Sequence, residues 1–300
     1  MYPVIQVTHP PDAPEPLGTK RKYWYKASDG REMLFKAEER GYGEDWSEKI
    51  ACELASLLGL PHVHYDLARD MKDDVPGVVS AQLRQRGEAL VHGNTLLPII
   101  DPAYPRTTMR VSAHTVDGVF RAIRMLGLPT ARFAADLPPG LTTGVEVFSG
   151  YLMFDAWIAN QDRHHENWAA LWTGSVLTLA PSYDHGACLA RNVSDDEKAG
   201  RLTTEDAGYS VSAFARRAGS RLFNLPTDKK PLGTLRAFRD FSAPIEAAAC
   251  AWMERLKAID QATIQAVLNR IPHDRMSRVC RDFTLELLLV NQRRILNEES

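Results

Sequence analysis

The chain has 300 residues, of which 44% are hydrophobic and 25% charged, and its formal net charge is −2. This balance favours a substantial hydrophobic core and excludes an intrinsically disordered chain. Because the net charge is close to zero and no apolar run approaches the roughly 20 residues of a transmembrane helix, we predict no membrane span and no nucleic-acid binding by the chain alone.

The first 85 residues are predicted to contain several strands and one helix. Alternating or aromatic runs predict strands over residues 22–27, 31–37, 62–68 and 77–83. Asp29-Gly30 is a hairpin-turn signal between the first two strands, and the alternation puts Phe35 and Lys36 on opposite faces. Apolar residues at helical spacing predict a helix over 45–58, and Gly59 is typical of the residue that ends a helix.

Helical patterns dominate the rest of the chain. They predict helices over residues 116–126, 147–160, 245–268 and 283–296. Two short strands between 168 and 179 flank a Thr173-Gly174 turn, and the polar stretch 188–209 is predicted to be a loop. We therefore predict an α+β fold of two lobes, a small β-rich lobe over residues 1–85 and a larger α-helical lobe over residues 86–300.

The cysteines are far apart in the sequence and form no CxxC pair. They are Cys52, Cys188, Cys250 and Cys280. This spacing predicts neither a disulfide framework nor a zinc site. The N-terminal residues show no basic segment followed by an apolar one, so no secretory signal is predicted. Together these features lead us to expect a cytoplasmic protein.

Two short segments carry the residue types that phosphoryl transfer needs. They are residues 160–167 (NQDRHHEN), after a predicted helix, and residues 183–186 (YDHG), after the two short strands. The reaction needs one carboxylate beside the attacking hydroxyl, and an amide and a second carboxylate that hold the metal bridging the phosphates. Asp162 and Asn167 lie at the two ends of one loop, and a hairpin can bring Asp184 to the same metal.

The same segments resemble kinase motifs. Asp162-Arg163-His164-x-x-Asn167 resembles the catalytic loop of phosphatidylinositol kinases and their protein-kinase relatives. Asp184-His185-Gly186 resembles their Asp-Phe-Gly metal motif, with His in place of Phe. The neighbouring segments 154–160 and 179–184 are more similar to HipA-like kinases. The resemblance implies a two-lobed protein-kinase-like fold that binds ATP and Mg²⁺, with Mn²⁺ as an alternative metal.

The resemblance also implies a role for each matching residue. Asp162 would be the catalytic base, Asn167 and Asp184 the metal ligands, and His164 a structural member of the loop. In the first lobe, Lys36 would grip the α- and β-phosphates. The turn formed by Gly18, Thr19, Lys20, Arg21 and Lys22 resembles the phosphate-covering turn of HipA-like proteins, although it is not a GxGxxG loop.

Two glutamates compete as the ion-pair partner of Lys36. Glu48 lies eleven residues before Gly59, as the corresponding glutamate does in HipA-like sequences. On a helical wheel, however, Glu48 falls opposite the apolar stripe, whereas Glu53 flanks the stripe next to Trp46. The resemblance therefore favours Glu48, and helical geometry favours Glu53.

The segment Ser80-Ala81-Gln82-Leu83 is the predicted hinge between the lobes. Adenine is usually held there by backbone groups, so the side chains carry little information. We expect the backbone around Ala81 to contact the base and Leu83 to pack on it.

Several functions remain open at this stage. A HipA-like serine/threonine protein kinase with a protein acceptor is favoured. In a toxin-type system, this kinase would act with a small antitoxin-like partner. The catalytic loop also resembles lipid kinases, but no basic or amphipathic membrane-binding segment is evident. A metallohydrolase is a third reading, in which His164, His165 and His185 join Asp162 and Asp184 around a transition metal. A pseudokinase that binds nucleotide without turnover is a fourth.

Overall fold

The first lobe is built on a mixed β-sheet. The computed structural model describes residues 1–14, 21–39, 41–107 and 111–297. Within them, a six-stranded sheet has the order β1-β5-β6-β4-β3-β2. The strands are β1 (Val4–Val7), β2 (Ala13–Pro14), β3 (Lys22–Lys26), β4 (Glu32–Ala37), β5 (Asp66–Asp70) and β6 (Val75–Ala81). β1 and β5 are parallel, whereas the other neighbours are antiparallel.

Alternation along β4 separates the core from a cleft. Phe35 and Ala37 are buried in a cluster with Tyr23, Tyr25 and other sheet residues. Leu34 and Lys36, one residue out of phase, line the cleft on the opposite face. The hairpin of β3 and β4 pairs Lys22 with Lys36, as the turn at Asp29-Gly30 predicts.

Helix α1 (Glu44–Leu58) packs between the sheet and the rest of the protein. Gly59 ends it with a φ of 68°, and a Cβ on this glycine would lie 2.3 Å from the carbonyl oxygen of Asp136. Only glycine accepts both the left-handed backbone and this close approach. Eleven of the 15 residues of the helix are buried, including Glu48 on the side away from the apolar stripe.

The second lobe contains a small sheet and most of the helices. The sheet, as far as the chain is described, has the order β7-β8-β9. The remaining elements are β7 (Ala89–His92), α2 (Gly93–Ile100), α3 (Val116–Ile123), α4 (Gly144–Trp157), β8 (Ala169–Trp172), β9 (Leu177–Leu179), α5 (Asp195–Thr203), α6 (Val211–Arg216), α7 (Thr234–Ser242), α8 (Glu246–Lys257), α9 (Gln261–Asn269) and α10 (Arg278–Ile295). A 3₁₀ turn over Ala243–Ile245 joins α7 to α8.

Helix α4 is the centre of this lobe. Almost all its side chains are buried, and it contacts α7, α8 and α10. A helix that is apolar on all sides is typical of the middle of a domain. It begins with a capping box formed by Thr143 and Glu146, and it leads directly into residues 160–167. A helix that is almost completely buried therefore positions the predicted catalytic loop.

The α+β, two-lobed prediction is confirmed, but several elements differ from expectation. The strand predicted over 62–68 begins only at Asp66. The stretch 245–268 was predicted as one helix, and the chain forms α8 and α9 instead because Asp260 caps a new helix through the backbone N–H of Thr263. The polar stretch 188–209 contains helix α5, which Ser194 caps. Its Lys198 is buried against Cys280 of α10. Of the helices in the described residues, none has the length and hydropathy to cross a membrane.

Candidate active site

A cleft of about 750 Å³ is lined by residues of both lobes. From the first lobe come Lys36 of β4 and Glu48 of α1. From the second come Asp162, Asn167 and Asp184, which lie on two different loops. The predicted base and the two predicted metal ligands therefore line the same cleft as Lys36, the predicted phosphate-binding lysine.

Lys36 contacts three polar groups in this cleft. Its Nζ donates hydrogen bonds to Asp184 Oδ1 at 2.9 Å, to the Tyr65 hydroxyl at 3.1 Å and to Glu48 Oε2 at 3.3 Å. Burial alone would lower the pKa of the amine, but the charges of Asp184 and Glu48 hold that pKa well above its usual value. Lys36 is therefore a fixed cation at the base of the cleft.

Glu48, not Glu53, is the glutamate that pairs with Lys36. Its second oxygen, Oε1, accepts the backbone N–H of His185 at 2.7 Å, so the same carboxylate also fixes the metal motif. Glu53 instead pairs with Lys49 at 2.6 Å. The helical wheel was misleading because α1 is buried on both sides, and the side opposite its apolar stripe faces the cleft rather than solvent.

Hydrogen bonds inside the loop 160–167 fix its shape. The backbone carbonyl of Asp162 accepts the backbone N–H of His164 and the side-chain Nδ2 of Asn167, each at 2.7 Å. His164 Nδ1 accepts the N–H of Glu166 at 3.2 Å. Because the Asn167 amide donates through Nδ2, its oxygen remains for a cation. His164 lines the cleft and is mostly buried, and burial lowers its pKa.

A buried arginine connects the loop 160–167 to helix α4. Arg163 makes a bidentate ion pair with Asp155 of α4, with N···O distances of 2.7 and 2.8 Å. It also donates to the carbonyl of Asn167 at 2.9 Å and to the Ser182 hydroxyl at 3.0 Å. Sequence reasoning assigned no role to either charged residue. The available signal was a lone aspartate within the apolar run of α4, since a buried charge requires a partner.

The metal motif has an unusual backbone. Asp184 has a φ of 60°, a conformation that costs non-glycine residues free energy. The bond from Lys36 and the bond from His185 N–H to Glu48 hold it in place. His185 is buried edge-on against Phe154, its Nε2 lies 2.7 Å from the Ser182 hydroxyl, and burial keeps its pKa well below the usual value. The neutral imidazole fills the position of the motif's usual phenylalanine.

Arg221 is a further residue that sequence reasoning missed. Its guanidinium lies against Asp162, with Nε and Nη2 at 3.3 and 3.1 Å from Oδ1. Arg221 follows α6, far from the loop in sequence, and nothing in its local pattern distinguishes it from other arginines. The two side chains are about one-third exposed, so solvent reaches the contact.

Part of the cleft lining is apolar. Trp24, Leu34 and Val78 line it together with Ala81 and Leu83 of the predicted hinge. Lys22, at the start of β3, also lines the cleft. Gly18 and Thr19, predicted to cover the phosphates, lie outside the described residues.

The histidines of the metallohydrolase reading contact different partners. His164 accepts the N–H of Glu166, whereas His165 Nδ1 lies 2.8 Å from the Tyr104 hydroxyl. His185 is held by Ser182 and Arg163. In the described parts of the chain, these three imidazoles and the two aspartates do not form a cluster of metal-ligand geometry. The metallohydrolase reading is therefore not supported.

Comparisons with known proteins identify the fold. No family model and no curated protein sequence matches the chain. Among solved structures, the proinflammatory kinase CtkA of Helicobacter pylori is 17% identical, with a TM-score of 0.71 over 99% of this chain and 100% of that one. HipA of Shewanella oneidensis MR-1, solved with HipB and operator DNA, is 14% identical, with a TM-score of 0.59 over 95% of this chain and 66% of that one.

The similarity to these structures assigns the chain to a fold class. The chain has a HipA-like kinase fold, as its motifs suggested. At these identities the likeness extends to the architecture and not to the reaction. What the site does must be argued from its own residues.

Proposed function

We propose that this protein is an ATP-dependent kinase that transfers the γ-phosphate to a hydroxyl group. The observation that carries the proposal is the convergence of Lys36, Asp162, Asn167 and Asp184 on one cleft. Phosphoryl transfer depends mostly on positioning and on electrostatic stabilisation of the phosphates. This reaction requires a fixed cation (Lys36), a carboxylate that an acceptor can reach (Asp162) and two oxygen ligands for a metal (Asn167 and Asp184).

Asp162 is the proposed base. It is partly exposed to the cleft, and its backbone is fixed by Asn167 and His164. An acceptor hydroxyl beside this carboxylate would be oriented for attack and would give up its proton to it. Lys36, held by Glu48, would bind the phosphates of the nucleotide, while the apolar end near Ala81 and Leu83 would accept the adenine.

The ligand atoms of Asn167 and Asp184 suit a hard divalent cation. Asn167 and Asp184 offer oxygen atoms only, which are the ligands that Mg²⁺ and Mn²⁺ prefer. The Asn167 amide is oriented by its own hydrogen bond to Asp162, and Asp184 is poised in a strained conformation. A bound Mg²⁺ or Mn²⁺ would neutralise charge on the phosphates. These residues would hold it.

The proposed acceptor is a serine or threonine of a protein. This part of the proposal is supported by the HipA-like fold and by the charge of the chain, which gives no sign of a lipid surface. A HipA protein of this fold was solved with HipB, so a small partner protein and a toxin-type role belong to the same proposal. We also propose that the protein acts in the cytoplasm. The boundary between its two lobes is proposed to lie near residue 85.

The test is transfer of labelled γ-phosphate from ATP to the protein itself or to supplied proteins, with Mg²⁺ present. We expect incorporation by the wild type. Asp162→Asn and Asp184→Asn should each lower the rate by several orders of magnitude, because each removes a charge that acts on the reacting groups. Circular dichroism should show that both variants remain folded.

Asp117→Asn is the matched control. Asp117 is an exposed aspartate on α3, paired only loosely with Arg121. This variant should label at the wild-type rate. Equal labelling by wild type and Asp162→Asn would reject Asp162 as the base. Nucleotide binding without any transfer would instead indicate a pseudokinase.

A further inference from the structure

A cluster of one cysteine and two histidines lies on the side of α1 that faces the chain before β5. The residues are Cys52 of α1 and His62 and His64 of the segment that follows it. One ligand atom of each of these side chains lies within 4.8 Å of the other two. The cluster is separate from the residues that line the nucleotide cleft, and nothing in the proposed kinase reaction uses it.

The separation between the cysteine and one histidine matches shared metal ligation. Cys52 Sγ lies 3.5 Å from His64 Nδ1. A tetrahedral zinc ion with Zn–S and Zn–N bonds of about 2.3 and 2.0 Å holds its sulfur and nitrogen ligands about 3.5 Å apart. His64 has an exposed side chain, so its ring can adjust toward an incoming ion.

The second nitrogen of each imidazole has a hydrogen-bond acceptor. His64 Nε2 lies 3.2 Å from Asp66 Oδ1, and His62 Nδ1 lies 2.7 Å from the carbonyl oxygen of Leu60. With the N–H of each ring on that side, the candidate ligand nitrogens are Nδ1 of His64 and Nε2 of His62. Nδ1 of His64 now lies 3.5 Å from Cys52 Sγ, and Nε2 of His62 lies 3.1 Å from the Ser56 hydroxyl. A bound ion would replace these two contacts. Histidines that ligate metals almost always donate their other N–H to a carboxylate or a backbone carbonyl.

The thiol is prepared as a ligand as well. Cys52 Sγ accepts the backbone N–H of Tyr65 at 3.3 Å, a bond that favours the thiolate. The thiolate is the form that binds metals.

We propose that Cys52, His62 and His64 form a binding site for one Zn²⁺ or a similar borderline-soft transition ion. Three protein ligands of mixed sulfur and nitrogen type suit such an ion, and the fourth position is open to water. Cysteine spacing alone did not predict this site because only one of its ligands is a cysteine and the two histidines share a short segment outside any zinc-finger pattern.

The site would join α1 to the segment before β5. Cys52 lies one helical turn after Glu48, and Tyr65 directly follows His64 and contacts Lys36. A bound ion would cross-link the helix that carries Glu48 to the segment that carries Tyr65, directly before β5. The ion would therefore have a structural role.

The test is a titration of reduced, metal-free protein with Co²⁺ in excess Mg²⁺, so that the oxygen ligands of the cleft are occupied. We expect an intense near-ultraviolet band from thiolate-to-cobalt charge transfer that saturates at one Co²⁺ per chain. Zn²⁺ should abolish the band, because zinc binds such sites more tightly than cobalt. The readout does not depend on kinase activity.

Variants locate the site. Cys52→Ser should abolish the band, whereas Cys250→Ser, which removes an exposed cysteine, should titrate like the wild type. His64→Ala changes an exposed side chain that the fold does not require, and it should weaken Co²⁺ binding at least about tenfold. The proposal is overturned if the wild type gives no charge-transfer band, if Cys52→Ser keeps it, or if His64→Ala binds Co²⁺ as tightly as the wild type.

Discussion

Arg221 makes both of its contacts with Asp162 to the same carboxylate oxygen. Its Nε and Nη2 lie 3.3 and 3.1 Å from Oδ1. Across the described residues, no hydrogen bond reaches the other oxygen, Oδ2. The arginine thus fixes the orientation of the proposed base and leaves Oδ2 for an acceptor hydroxyl. Arg221 acts through Asp162 and would be a positioning residue.

Replacing this arginine should therefore affect turnover and not nucleotide binding. We expect Arg221→Gln to lower kcat by roughly 10- to 100-fold, because a base that is misplaced by about 1 Å loses that much rate. The KM for ATP should stay near the wild-type value, since Arg221 is not among the described residues that line the proposed nucleotide cleft. Steady-state kinetics with ATP varied measures both constants.

The conservative variant completes this test. Arg221→Lys keeps the charge and can still donate to Oδ1, so it should recover part of the lost kcat. A kcat unchanged in Arg221→Gln would show that the contact with Asp162 has no part in the reaction. A rise in the KM for ATP with kcat intact would place Arg221 in nucleotide binding instead.

The two glutamates of α1 give a matched pair of variants. Glu48 is buried and contacts both Lys36 and the N–H of His185, whereas Glu53 pairs with Lys49 outside the cleft. We expect Glu48→Gln to lower kcat/KM for ATP about tenfold or more, because Lys36 loses one of its two anionic partners. Glu53→Gln should stay within about twofold. Similar losses in both variants would contradict the pairing.

Local sequence patterns were sufficient to predict the two loops of the proposed active site. Asp162 and Asn167 share one short loop, and Asp184 follows a hairpin whose turn at Thr173-Gly174 is visible in the sequence. The spacing within this short stretch of sequence was therefore enough to predict that their side chains share one cleft. The same applies to Lys36, whose face is set by alternation along β4.

Contacts between distant segments were not visible in the sequence. The choice between Glu48 and Glu53 depended on what covers each side of α1, and a helical wheel assumes that one side faces water. Arg221 meets Asp162 only because the chain after α6 folds back over the loop. Helix α5 was missed because its charged composition resembles a solvated loop, although Lys198 is buried against α10.

The Asp155–Arg163 pair should contribute strongly to stability. Both side chains are almost completely buried, so removing one charge leaves the other without a partner in a medium of low polarity. We expect Asp155→Asn to lower the free energy of unfolding by about 3–5 kcal/mol. Urea denaturation at neutral pH, followed by tryptophan fluorescence, measures this change.

An exposed ion pair supplies the control. Arg236 and Asp240 pair on the surface of α7, and Arg236 is 70% exposed. Asp240→Asn should change the free energy of unfolding by no more than about 0.5 kcal/mol, because solvent screens such pairs. If the two variants lose similar stability, burial is not the reason for the strength of the Asp155 pair.

The buried His114 should make the protein sensitive to acid. Its Nδ1 lies 2.9 Å from the carbonyl oxygen of Arg221, and its Nε2 accepts the indole N–H of Trp168 at 3.2 Å. This arrangement requires the neutral tautomer, since a proton on Nε2 would face the donor of Trp168. Burial, together with the nearby His165 and His164, lowers the pKa of His114 to about 3.

The sign of the pH effect follows from that shift. An unfolded chain takes up a proton on this histidine near pH 6.5, whereas the native protein does not until about pH 3. The stabilising contribution is therefore complete above pH 6.5 and decreases by about 1.4 kcal/mol per pH unit as the pH falls below it. His114→Gln removes this one titration. We expect its free energy of unfolding, measured in urea at pH 7.5, 6 and 5, to fall less steeply with acid than that of the wild type. The two proteins should become closer in stability at pH 5 than at pH 7.5, and parallel curves would show that His114 titrates alike in the folded and unfolded states.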